Sequence, residues 1–324
     1  MENIRRISTE FAEAFKQSEL YNLYKEHKHE LFIGVRNNYL NLYYNCDSIA
    51  RVEYKLRDKK INCVIDKYYL DGKHYDSKDK NKRYKTGPKE IYAQYEVIKS
   101  HSNIRKTQEK KAQSKLVLLN NKNLDSNWFC IDIEYVKPFK NEAAKNEANF
   151  NARFDIIALS KKKPYRVALI ELKYGKGSLK EPSGIKKHVS DFSVFLEKGY
   201  FEEHLKHDII AIVESQKELG VDVPFGLIKE SDLKKVPEFY FIILDNNAES
   251  VKASTPKQTL AGYLFKEKRW GCKRLAKNTV ENEFGDITKR GNKFFATFLF
   301  SKATLDNLEI TDIIDGAYDE RIPE

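Results

Sequence analysis

Two apolar segments near the middle of the chain have the pattern of neighbouring β-strands. Residues 153–159 and 166–174 are rich in Ile, Val and Leu, and a polar turn containing Pro164 separates them. Short β-branched runs on either side of a polar breaker predict a β-hairpin. Alternate side chains of a strand project to the same face, so Glu171 and Lys173 are predicted to lie together.

The remaining pattern predicts a mixture of strands and helices. Apolar or alternating segments predict strands at 31–35, 39–44, 49–56, 61–70, 128–136 and 238–244. Apolar residues at helical spacing predict helices at 9–30, 90–119 with a break at 101–103, 185–198, 202–219 and 255–268. The apolar run 294–300 fits a strand or a helix.

Composition and these elements divide the chain into four predicted parts. Residues 1–75 form a helix with a small antiparallel β-meander, and 76–88 form a Lys-rich linker that is expected to be a solvated loop. Residues 89–250 form the core that contains the hairpin. Residues 251–324 form a basic and aromatic extension around Trp270, with an acidic tail from Thr304 that is expected to be peripheral.

Composition points to a soluble, cytoplasmic protein with an acidic partner. The 324 residues include 41% hydrophobic positions, with no apolar run that could span a membrane and no signal-peptide core at the start. The four cysteines are far apart and are predicted to be free thiols. The net charge of +10 favours nucleic acid as a partner, although the lysine-rich bias of an AT-rich genome would give the same excess.

The predicted hairpin also gathers charged groups on an apolar sheet. If its strands pair antiparallel, Asp155 can lie beside Glu171. Carboxylates on apolar strands need a cation or hydrogen-bond partners, and two of them with water suit Mg²⁺, for which Mn²⁺ can substitute. Lys173 could then hold or activate a water molecule. The alternative is a surface ion pair of Glu171 with Lys173 on a wet strand face.

The order of Asp155, then Glu171, Leu172 and Lys173 at the end of an apolar strand resembles the PD-(D/E)XK nuclease superfamily. The resemblance covers about residues 88–245, and Phe154 stands where the superfamily has proline. It implies an α/β (α+β) fold, restriction-endonuclease-like, with a central mixed sheet flanked by helices. It also implies metal ligation by Asp155, Glu171 and the Leu172 carbonyl, with Lys173 positioning the water.

The same resemblance implies roles for further residues. Glu134, on the strand before, is expected to complete a three-carboxylate site, with Glu109 and Glu96 on the preceding helix as alternatives. Lys186, Lys187 and His188 open the following helix and are expected to contact phosphate. His188 could instead shuttle protons or lie on a plain helix surface. His204 and His207 do not form a convincing zinc set.

The expected function is therefore a Mg²⁺-dependent endo- or exonuclease acting on nucleic acid, with DNA as the favoured substrate and a role in bacterial or phage defence. A homodimer or an activating partner protein would fit this activity. The alternative is a non-cleaving nucleic-acid-binding or assembly protein that retains the nuclease fold. Metal binding and cleavage separate the two.

Overall fold

The computed structural model describes residues 4–139, 150–175, 185–245, 271–274 and 296–314. In these residues the protein is a mixed α+β structure with an antiparallel five-stranded sheet and a mixed six-stranded sheet. The chain divides into two compact units. The first unit comprises Met1–Leu118 with His207–Ile228, and the second comprises Leu119–Lys206 with Lys229–Glu324. These boundaries differ from the predicted four-part division.

The first unit contains the predicted antiparallel meander. Its sheet has the order β1-β2-β3-β4-β5, and every neighbouring pair is antiparallel. The elements are α1 (Thr9–Lys16), α2 (Glu19–Glu26), β1 (Phe32–Val35), β2 (Leu40–Tyr44), β3 (Asp47–Lys55), β4 (Lys60–Asp66), α3 (Tyr68–Asp71), β5 (Arg83–Thr86), α4 (Pro88–Ala93), α5 (Tyr95–Arg105) and α6 (Gln108–Lys122). The last turn of α6, from Leu119, belongs to the second unit.

Several predicted boundaries in this unit are wrong. The single helix at 9–30 is two helices, because Ser18 is extended and its hydroxyl donates to the Phe15 carbonyl at 2.6 Å. The segment at 61–70 ends as a strand at Asp66. The break predicted at 101–103 is absent, since α5 runs through it, and the helical region is interrupted instead at Gln94 and at 106–107.

The predicted linker is also partly wrong. Arg83–Thr86 within it forms β5, which pairs with β4 along the sheet edge. An edge strand needs only its main chain to pair, so a basic sequence can form one, and lysine at an edge opposes further strand addition.

Helices cover one face of the first sheet. Phe11 of α1 stacks on Tyr54 of β3 with ring centroids 5.9 Å apart. Val52, Cys63 and Ile65 lie on this covered face and are fully buried. Residues of the other parity on β3, such as Arg51 and Lys55, consequently face away from the helices.

The second unit contains the six-stranded sheet. Its elements are β6 (Trp128–Phe139), β7 (Phe150–Ser160), β8 (Val167–Tyr174), α7 (Ile185–Glu197), a π-helical turn at Phe201–Leu205, β9 (Glu238–Leu244), β10 (Gly271–Arg274) and β11 (Ala296–Phe300). The next helix, α8 (Lys206–Glu218), starts here but belongs almost entirely to the first unit. The sheet order is β10-β11-β9-β8-β7-β6. The predicted hairpin and the strands at 128–136 and 238–244 are confirmed, and the described part of the run 294–300, Ala296–Phe300, is a strand.

Strand direction changes at β8. β6, β7 and β8 pair antiparallel, whereas β9 and β11 continue from β8 in parallel. The first seven residues of β8 are buried, as expected of a central strand flanked on both sides. The helix predicted at 255–268 and Trp270 lie outside the described residues, whereas Lys273 and Arg274 of the basic cluster around Trp270 lie in β10.

The chain end is not peripheral as far as it is described. Leu308, Ile313 and Ile314 are buried, and the Ile313 amide donates to Asn120 Oδ1 at 3.1 Å. The same Asn120 donates to the Trp128 carbonyl at 3.0 Å, so this segment is tied to the start of β6. The prediction of a peripheral tail is therefore wrong for residues 304–314.

The remaining global expectations concern membranes and thiols. None of the helices in the described part of the chain has the length and apolar character needed to cross a membrane. Cys46, Cys63 and Cys130 are buried free thiols, as predicted. Burial raises the pKa of Cys63 to about 12 and raises that of Cys130 further, so both stay protonated at neutral pH.

Candidate active site

Glu171 and Lys173 form an ion pair inside the second unit. Their side chains leave the same face of β8, and Lys173 Nζ lies 2.6 Å from Glu171 Oε1. Only 6% of the Glu171 side chain and 11% of the Lys173 side chain are exposed. The alternative of a wet surface pair is therefore wrong, and the pair carries the desolvation cost of two buried charges.

Asp155 reaches the same place from the neighbouring strand. The β7–β8 ladder ends with the pair Ile156–Ile170, which leaves Asp155 just beyond it at the level of Glu171. Asp155 Oδ2 accepts a hydrogen bond of 2.9 Å from the Leu172 amide. Its carboxylate therefore lies against the peptide group that joins Glu171 to Leu172. The predicted metal ligand at Leu172 is the carbonyl, which takes no part in this contact.

His188 completes the surroundings of Glu171. It lies on the first turns of α7, and its Nε2 is 3.0 Å from Glu171 Oε1. Its side chain is 23% exposed, so the alternative of a plain helix surface is wrong. The sequence predicts phosphate contact or proton shuttling for His188, and nothing in the local spacing indicates that it contacts Glu171.

Glu134 has an unusual backbone at the same level of the sheet. It lies in β6 between Ile133 and Tyr135, whose partners Ile156 and Phe154 flank Asp155. Its φ of +53° is in the left-handed region that side chains other than glycine rarely adopt. Such strain costs on the order of 1–3 kcal/mol and is found most often at functional sites.

Packing from two sides holds this end of β8. Phe192 of α7 stacks on Phe239 of β9 with centroids 4.0 Å apart, and also on Phe154 next to Asp155. At the end of β8, Tyr174 Oη accepts a hydrogen bond of 2.9 Å from the Leu305 amide. The helix and the C-terminal segment thus fix the strand that carries the ion pair.

The structure does not show the other predicted site residues in contact with Asp155 or Glu171. Glu96 and Glu109 lie on α5 and α6 in the first unit, whereas Asp155 and Glu171 belong to the second. Lys186 and Lys187 lie on the first turn of α7, but their side chains are outside the described residues. His204 lies 3.9 Å from Glu203, which gives no support for zinc.

The donor set suits a hard cation only in part. Asp155 and Glu171 offer the carboxylate oxygens that Mg²⁺ prefers, and Mg²⁺ commonly retains several waters beside one or two carboxylates. Across the described ranges, however, no three His, Cys, Asp or Glu side chains are grouped so that they could hold a metal ion. The chemistry therefore fits a two-carboxylate site completed by water, and the three-carboxylate site expected with Glu134 is not assembled.

Comparison of this chain with protein-family models, with curated proteins and with solved structures gives no match in any of the three.

Proposed function

We propose that the second unit is a Mg²⁺-dependent nuclease with a restriction-endonuclease-like core, acting on DNA. The observation that carries the proposal is the buried Glu171–Lys173 pair with the Asp155 carboxylate on the adjoining peptide group. Replacing such a pair by apolar residues commonly leaves stability unchanged or increases it, so fold stability alone gives little reason to keep it. A chemical role gives such a reason.

Each residue has a role that follows from its contacts. Asp155 and Glu171 would hold the Mg²⁺, which when bound polarises a phosphodiester and offsets its charge. The Leu172 amide keeps the Asp155 carboxylate at the level of Glu171. Lys173 places an ammonium group within hydrogen-bond reach of Glu171, where it can orient a water molecule or neutralise a phosphate oxygen. His188 restrains the same oxygen of Glu171, Oε1, from helix α7.

The architecture of the second unit is consistent with this proposal. The strand that carries Glu171 and Lys173 pairs antiparallel with β7 and parallel with β9, in the centre of a mixed sheet. The next described helix, α7, packs its Phe192 against that sheet. The resemblance noted in the sequence implies this combination of a mixed sheet and a following helix. A part in bacterial or phage defence is included in the proposal on the strength of the resemblance alone.

The test is cleavage of supercoiled plasmid, linear duplex and single-stranded DNA in Mg²⁺, Mn²⁺ and EDTA. We expect Asp155→Asn, Glu171→Gln and Lys173→Met each to reduce the rate by about 100-fold or more, as loss of a charge-stabilising group commonly does. Glu197→Gln and Lys198→Met, at exposed positions at and just beyond the end of α7, are the matched controls. Wild-type rates in all three site variants, with folding verified by thermal melting, would refute the proposal.

One observation favours a second function. Glu171 Oε1 already has both Lys173 and His188 as partners, and no group of three potential ligands is assembled in the described residues. This arrangement, in which Glu171 already has side-chain partners, is the one expected of a non-cleaving nucleic-acid-binding or assembly protein that retains the fold. Calorimetric titration with Mg²⁺ separates the two, because the nuclease binds the ion and its Glu171→Gln variant does not. DNA binding without Mg²⁺ binding or cleavage would support the second function.

A further inference from the structure

The uncovered face of the first sheet carries an excess of cations. Arg51 and Lys55 on β3, Lys60 on β4, and Arg83 and Lys85 on β5 have the parity that faces away from the helices. These five residues are named here the basic face. The acidic residues on the same face of these strands are Glu53 and Asp66, whereas Asp47 lies beyond the β-bulge at Ile49 and is buried.

The register brings the basic residues close together across the strands. Lys55 pairs directly with Lys60, and Val64 lies between Arg51 and Lys85. Neighbouring strands are about 4.8 Å apart, so the backbone of Lys55 lies roughly 5 Å from that of Lys60, and that of Arg51 roughly 10 Å from that of Lys85. The two pairs are roughly 14 Å apart along the strands. A paired sheet holds such positions rigidly, which a solvated basic loop does not.

Neighbouring carboxylates neutralise only part of this charge. Glu53 contacts Arg51 at 2.7 Å and Lys55 at 2.9 Å. Asp66 forms ion pairs with Lys82 and Arg105, which are two further cations beside the face. Lys60, Arg83 and Lys85 are exposed, and none of them has a carboxylate within 4 Å in the part of the chain that the structure describes. Cations at close range without counterions are favourable positions for phosphate.

A cation–π pair and an exposed apolar side chain at the β3–β4 turn extend the basic face. The Arg51 guanidinium lies over the Tyr39 ring at 3.9 Å from its centroid, which gives a flat platform of the kind on which bases stack. Beyond Lys55, Leu56 at the β3–β4 turn is 70% exposed and is followed by Arg57. An exposed aliphatic side chain among cations can contact bases while the cations contact phosphates.

We infer that the basic face binds the phosphodiester backbone of nucleic acid. This inference rests on the proposed function in taking nucleic acid as the partner, and it adds the surface that holds the substrate. A lipid surface fits less well, since apart from half-buried Val64 the strands of the face present mostly polar side chains, and the strongly exposed apolar residue is at the turn, Leu56. An acidic protein would not require the flat pair of Arg51 with Tyr39.

The test compares two triple charge reversals in the full chain. Lys60→Glu/Arg83→Glu/Lys85→Glu changes the basic face. The control, Lys16→Glu/Lys25→Glu/Lys89→Glu, makes the same change in net charge at exposed positions on α1, α2 and α4. Fluorescence anisotropy with labelled duplex and labelled single strand is measured over a salt series in EDTA, so that no cleavage occurs. Anionic phosphatidylserine vesicles serve as the competing partner.

We expect the face variant to bind at least about tenfold more weakly than wild type, with the slope of log affinity against log salt reduced by about two to three. The control is expected to stay near wild type. Equal losses in both triple variants, unchanged binding by the face variant, absence of wild-type binding, or binding to vesicles but not to DNA would each overturn the inference. Lys60→Gln/Lys85→Gln, which leaves the strand pairing intact, repeats the test if the triple variant does not fold.

The binding and cleavage assays can fail separately. If the wild-type protein does not cut DNA but the face variant alone loses affinity, the basic face stands and the nuclease proposal falls. If wild-type protein cuts DNA and the face variant binds as tightly as wild type, the nuclease stands and the basic face falls.

Discussion

Breaking the Glu171–Lys173 pair from one side is expected to destabilise the second unit strongly. Replacing Glu171 by leucine leaves Lys173, whose side chain is 11% exposed, without the carboxylate at 2.6 Å, and loss of one partner of a buried pair costs about 3–5 kcal/mol. Replacing Lys173 by methionine leaves Glu171 with His188 at 3.0 Å, so we expect a smaller cost of about 1–3 kcal/mol. The double variant removes both charges, and its free energy of unfolding should be within a few kcal/mol of the wild-type value, either higher or lower.

Denaturant unfolding of the four proteins measures this coupling. Trp128 is buried in the second unit, and a Trp270→Phe background removes the other tryptophan from the fluorescence. We expect an interaction free energy of about 2 kcal/mol or more, with the m-value unchanged. A double variant whose loss equals the sum of the two single losses within about 0.5 kcal/mol would show that the two charges are not coupled, and would remove the main support for the site.

Three further predictions concern other parts of the molecule. Glu134→Gly relieves a φ of +53° and should raise the free energy of unfolding by about 1 kcal/mol while cleavage falls; a stability loss would contradict this. Burial opposes ionisation of Glu30, but hydrogen bonds from Lys99 and His27 outweigh it and lower the pKa of this carboxyl. The stabilisation that ionised Glu30 provides is therefore complete above the pKa of this carboxyl in the unfolded chain, and it is lost as the pH falls through the lower pKa in the folded protein. Glu30→Gln should consequently make the free energy of unfolding fall less steeply at acid pH. Ile313→Ala, at a fully buried position, should cost about 2–5 kcal/mol in the same unfolding assay, whereas exposed Glu309→Ala should cost little.

The central strands could be predicted because a strand that is buried on both faces has a continuous run of apolar residues in its local sequence. β8 and β9 are continuous apolar runs, and the structure buries β9 completely and β8 almost completely. The alternation of Glu171 and Lys173 likewise sets their common face, which their 2.6 Å contact confirms. The spacing could not show that the pair is buried, because that depends on elements that pack above it.

The elements that the sequence did not indicate depend on distant partners. β5 has the composition of a loop, and only its main-chain pairing with β4 makes it a strand. The segment at 304–314 is held by Asn120, which is 193 positions away from Ile313 in the chain. His188 reaches Glu171 from a separate helix. Periodicity within a window carries no information about such contacts.

Three departures from local rules in the second unit coincide at one place, whereas others, such as the buried Arg166–Glu238 pair and Asp245 with a φ of +50°, lie elsewhere in the unit. A glutamate in the left-handed region, a buried glutamate and a buried lysine lie on β6 and β8, on either side of the strand that supplies Asp155. Each departure costs stability, and an apolar or glycine residue at each position would avoid that cost. Proteins usually retain such conflicts where function requires them, so their concentration at one level of the sheet argues for a working site more strongly than any single residue does. If all three substitutions, Glu134→Gly, Glu171→Leu with Lys173→Met, stabilised the protein and left DNA cleavage unchanged, this argument would fail.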